Sequence, residues 1–80
     1  MKSYWLNVST RTDKQKKAVL SWFGSICRGM TVESARVLCD KETDREKKIK
    51  AIVVDEKGVR KLATRTLGKN YSITIAPVRP

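Results

Sequence analysis

The sequence predicts an α+β fold: a two-layer sandwich of order β-α-α-β-α-β, in which a three-stranded antiparallel sheet carries helices on one face. Three observations point there. Both ends of the chain alternate apolar and polar residues with period two, residues 14–39 repeat their apolar positions at helical spacing, and residues 49–54 form a short β-branched apolar run.

Residues 3–9, SYWLNVS, place Tyr4, Leu6 and Val8 on one side and Trp5, Asn7 and Ser9 on the other, as a half-buried strand does. Thr12 or Asp13 is suited to cap the helix that follows. In that helix Ala18, Val19, Trp22, Phe23, Ile26 and Cys27 keep the i, i+3, i+4, i+7, i+8 spacing of a core stripe, and Trp22 belongs to the core. Gly29 supplies a left-handed residue past the helix end, and Thr31 caps a second helix whose stripe is Val32, Ala35, Leu38 and Cys39. Cys27 and Cys39 both fall on apolar stripes and read as small buried hydrophobes. Two thiols without a histidine are too few for a metal site.

Residues 49–54, IKAIVV, are apolar on both faces, as in a central strand. Residues 55–67 admit two readings. A helix opened by Asp55 gathers Val59, Leu62, Ala63, Thr66 and Leu67 on one face; a hairpin across 55–58 would make 59–64 a strand. Val59-Arg60-Lys61-Leu62 does not alternate cleanly, so the helix fits more positions, with Gly68 as its stop. In the closing strand Tyr71, Ile73 and Ile75 face inward, Ser72, Thr74 and Ala76 outward, and Pro77 ends the pairing.

Eighty residues make a single small domain with a net charge of +10 and a pI of about 10.1. The charge is uneven. Between residues 40 and 50 acids and bases nearly cancel, as in a solvated helix tail or loop, whereas beyond Glu56 there is no acid at all. There Lys57, Lys61 and Arg65 stand at i, i+4, i+8, a stripe on the expected third helix with Arg60 beside it and Lys69 beyond. Such a row meets successive phosphates, and a merely solvated helix face would interleave acids. Arg11, Lys14, Lys16, Lys17 and Arg28 form a second cluster opposed only by Asp13, and of these Lys14, Lys16, Lys17 and Arg28 are the expected contacts. The expected partner is a nucleic acid, DNA or RNA, held by phosphate contacts; the alternative is an acidic protein docked on the basic face or the helical hairpin. Trp5, pointing away from Tyr4, Leu6 and Val8, is either covered by a neighbouring segment or a second subunit or a candidate for stacking a base on the open sheet face beside Ser72 or Thr74.

Other classes fit poorly. Without histidine no Ser–His or Cys–His pair forms, the glycines build no phosphate loop, and the acids crowd among lysines, so neither an enzyme nor a cofactor is expected. A DNA-reading helix-turn-helix would offer Glu33, Ser34, Arg36 and Val37, with only one base among them. No run of about twenty apolar residues spans a membrane and no secretory leader is seen, so a cytoplasmic location is expected. The small size suits an accessory or virus-encoded regulator of weak sequence specificity.

The order strand, AVLSWF, GMTVESARVL, IKAIVV, third helix, closing strand resembles the superfamily of the ribosomal stalk protein C-terminal domain and the Clp-protease adaptor of the N-end rule. Gly29-Met30-Thr31 is similar to the adaptor's turn before its second helix, and Ile75-Ala76-Pro77 to its closing strand. The resemblance implies the two-layer fold. It does not imply N-degron recognition, because Ser9-Thr10-Arg11 replaces the adaptor's Asn-Asp-Asp turn and no histidine is present; the stalk domain, moreover, is acidic where this chain is basic.

Overall fold

The computed structural model describes residues 3–8, 12–68 and 72–78. Its elements run β1 (Ser3–Val8), α1 (Asp13–Trp22), a short 3-10 turn (Gly24–Cys27), β2 (Thr31–Asp40), β3 (Glu46–Val54), β4 (Arg60–Thr66) and β5 (Ser72–Pro77). The strands lie side by side in chain order, and every neighbouring pair is antiparallel. The expected three-stranded sheet with helices on one face is thus corrected to a five-stranded antiparallel meander with one α-helix. With it goes the element order that carried the superfamily resemblance.

Two segments expected as helices are strands. In β2 the spacing Val32, Ala35, Leu38, Cys39 mimics a helical stripe, but a bulge between Val32 and Ser34 is its source. The extra residue shifts the phase, so Val32 buries on the same side as Ala35, Val37 and Cys39. Pairing with β1 on one side and β3 on the other then overrides local helical propensity.

Residues 55–67 form the second arm of a hairpin. The Asp55 carboxylate accepts from the backbone N–H of Lys57 and of Val59, both at 2.9 Å, and the Asp55 N–H donates to the Val59 carbonyl at 3.1 Å. These bonds, with the nearby Lys61 ammonium, hold the Asp55 carboxyl below the ordinary carboxylate range. Gly58 closes the loop at φ +83°, the left-handed position of a three-residue hairpin loop. Gly58→Ala tests the choice by sign. Open space surrounds a Cβ there, so the substitution costs about 1–2 kcal/mol of backbone strain in the hairpin. In a helix the same change would stabilise by about 1 kcal/mol, and urea unfolding separates the two.

One face of the sheet is the core. Across it run the rows Leu6-Val37-Ile49-Arg65-Ile73 and Val8-Ala35-Ala51-Ala63-Ile75. The three central alanines are buried and leave depth above them, and the fully buried Val19 and Phe23 join the same cluster from the helix side. Thr12 caps α1 as expected, its hydroxyl accepting from the Gln15 N–H at 3.2 Å. The helix stops at Trp22, and Gly24 takes φ +65°. The expected stripe therefore ends early: Cys27 is buried, but Ile26 is 47% exposed and Trp22 only half-buried at the core's margin. Both cysteines are free and buried, and burial pushes the Cys27 thiol up.

The β2–β3 connection is built on Asp40. Its carboxylate accepts from the Glu42 and Thr43 N–H groups at 2.8 and 3.3 Å and pairs with Lys47 at 2.9 Å, which holds its pKa down. Beyond it, the Tyr4 hydroxyl donates to Asp44 at 2.7 Å, and that bond to a carboxylate pushes the phenol up to about 12.

A candidate nucleic-acid interface on the open sheet face

α1 packs on one face of the sheet; among the described residues the other carries no helix. Its surface follows from the register. The first row is Trp5-Leu38-Lys48-Thr66-Ser72, the second Asn7-Arg36-Lys50-Thr64-Thr74, the third Ser34-Ile52-Leu62-Ala76. Among the described residues these rows contain three cations and no carboxylate. At the two ends of these rows, among the described residues, Asp40 is engaged by Lys47 at 2.9 Å and Glu33 by Arg60 at 2.8 Å. Arg36, Lys48 and Lys50 have no carboxylate partner among the described residues, so their field is directed outward.

Trp5 projects from β1 onto this face and is 42% exposed. Lys50 Nζ sits over its ring, 5.1 Å from the centroid, a cation–π contact that spans β2. Beside them lies a shallow hollow of about 330 Å³ with Ile52 and Leu62 among its apolar lining and Arg36 and Lys50 among its polar lining. Aromatic ring, apolar floor and cationic rim are thus contiguous.

The residues first expected to bind are differently placed. The helical stripe Lys57, Lys61, Arg65 does not exist. Lys57 is an exposed turn residue. Lys61 and Arg65 do share a face, because i and i+4 also coincide on a strand, but it is the core face. There Lys61 pairs with Asp55 at 3.6 Å, and the Arg65 guanidinium donates to the Trp22 carbonyl, tying β4 to the end of α1. Arg60 is held by Glu33. Arg28 and Lys57 flank a depression shared with Asp55 and Glu56, so cations and carboxylates interleave there. Lys14 and Lys17 are exposed on α1, away from its buried Val19, and Lys16 is half-buried on its flank. They stand across the molecule from the open face. Arg11 and Lys69 lie outside the described residues. Trp5 is on the open face, but its cross-strand neighbour is Leu38; Ser72 and Thr74 belong to the opposite edge.

Arg36, Lys48 and Lys50 were absent from the sequence-derived site. Arg36 looked like a helix residue, and Lys48 and Lys50 were lost in a segment whose charges cancel. The signal was the alternation of Lys48 and Lys50 with Ile49, Ala51 and Val53. A strand with a buried face and a basic face has that pattern.

Among the described residues no group of three or more His, Cys, Asp or Glu is placed to hold a metal ion, and no helix is long and apolar enough to cross a membrane. Comparison with known proteins adds nothing to this geometry: no family model, no curated protein and no solved structure matches the chain.

Proposed function

We propose that this protein is a non-enzymatic nucleic-acid-binding protein that holds a phosphodiester backbone against the open face of its sheet. The supporting observation is the acid-free band Arg36, Lys48 and Lys50 beside an exposed tryptophan, on a chain of net charge +10. Phosphate contacts give affinity without sequence information, so specificity is weak. A cytoplasmic, accessory role, in a cell or for a virus, belongs to the same proposal.

Fluorescence anisotropy with labelled oligonucleotides across a salt series tests it. Three phosphate contacts give a log–log slope of about −2 for a single strand and nearer −2.7 for duplex DNA. Affinity no greater than that of a polylysine control of matched charge would contradict the proposal. The half-buried Leu38, Ile52 and Leu62 within the band favour a second reading, an acidic protein partner. In that case an acidic protein binds the band while oligonucleotides bind no tighter than the polylysine control.

A further inference from the structure

Resting on the nucleic-acid function proposed above, we infer that the open face takes an extended single strand rather than a duplex, with one base on Trp5, a neighbouring base in the Ile52–Leu62 hollow, and Lys50 on the phosphate between them. The sheet itself argues against duplex. A major groove is about 12 Å wide and admits a helix or a two-stranded ribbon. Five strands at roughly 4.8 Å spacing span about 19 Å between the outermost axes, so the face meets a duplex only along its outer phosphates. A duplex then leaves Trp5 and the hollow without a ligand, because its bases are stacked and paired. A single strand presents phosphates and unstacked bases together, and this face has a complement for each.

The three parts are coupled through Lys50. It lines the hollow and also sits over the Trp5 ring. A base entering on that side of the ring displaces the ammonium, which then has a phosphate to meet. The contact given up is a weak one at an exposed site, so the exchange opposes binding little. In the free protein Lys50 covers the ring. In the complex the base covers it, and the charge moves to the backbone. Along the second row, Asn7, Thr64 and Thr74 continue the path to both edges with neutral hydrogen-bonding groups. The site is short, roughly four nucleotides, the lower end for sheet-based single-strand binders.

The test uses the full chain in a Trp22→Phe background, which leaves Trp5 as the sole tryptophan. A twelve-nucleotide single strand, as DNA and as RNA, is titrated against the duplex of the same sequence. Expected are quenching of Trp5 fluorescence by a single strand and at least tenfold tighter binding of that strand than of duplex. Trp5→Ala, followed by anisotropy of labelled strands, should lower single-strand affinity roughly 5- to 150-fold and duplex affinity far less, with circular dichroism reporting the intact fold. Lys50→Met should reduce the single-strand salt slope by about 0.7, one phosphate contact. Equal binding of single strand and duplex, without quenching and indifferent to Trp5→Ala, overturns the inference but leaves phosphate binding standing. Absence of binding to either overturns both.

Discussion

Phe23→Ala should remove about 3–5 kcal/mol of stability, the ordinary loss for a large aromatic excised from a packed core. A chain of 80 residues has roughly 4–12 kcal/mol to lose at 0.05–0.15 kcal/mol per residue, so the variant stands near the edge of unfolding at 25 °C. The effect is large because α1 and the turn after it supply the side chains, Val19 and Phe23 foremost, that close the inner face from the helix side. Phe23 is fully buried where α1 gives way to the 3-10 turn, and the alanine row Ala35-Ala51-Ala63 contributes little bulk of its own. Ile26→Ala is the control. Periodicity places Ile26 on the same stripe, but it is 47% exposed and its truncation should cost under about 1 kcal/mol. Urea midpoints of the two variants give the comparison. Equal losses would mean that the helix continues through Cys27 after all.

The second large effect concerns binding. Reversing two charges of the open face, Arg36→Glu with Lys50→Glu, should weaken oligonucleotide binding on the order of 100-fold at moderate salt, since two attractions are lost and two repulsions gained. The salt slope should become shallower by more than 1. Both side chains project from the uncovered face and neither has a carboxylate partner among the described residues, so the fold should lose little. Lys61→Glu acts in the opposite way. Lys61 is half-buried on the core face and faces Asp55, so reversing it places two carboxylates together and damages the β3–β4 hairpin; any loss of binding there accompanies a loss of stability. Measuring unfolding and anisotropy on the same preparations separates the two sites.

The parts of this fold legible in the sequence are those where one local signal acts unopposed. The alternation of Tyr4, Leu6 and Val8 marks β1, Thr12 marks the start of α1, and the β-branched run at 49–54 marks β3, although β3 begins three residues earlier at Glu46. β2 was hidden by its bulge, whose extra residue moves Val32 and Ala35 to a spacing of three. In β4 the polar pair Arg60 and Lys61 follows Val59 and blurs the alternation, and what decides the segment is the Asp55–Gly58 turn and its pairing with β3, a non-local term. The candidate site suffered accordingly. Residues four apart share a face in a helix and in a strand alike, so Lys61 and Arg65 stay on one side although the helix does not form, and which side that is depends on the sheet. Trp5 could be placed on the open side because β1 itself was legible.

The most direct measurement is a two-dimensional ¹H–¹⁵N NMR titration of the protein with a short single-stranded oligonucleotide. Binding on the open face predicts shifts at alternate positions of β1, β2 and β3, centred on the Trp5 indole N–H, Asn7, Arg36, Lys48 and Lys50, with Lys14, Lys17, Lys57 and Arg65 little changed. Shifts confined to the exposed side of α1 or to the Asp55–Gly58 turn would place the polyanion elsewhere and contradict the sheet-face interface.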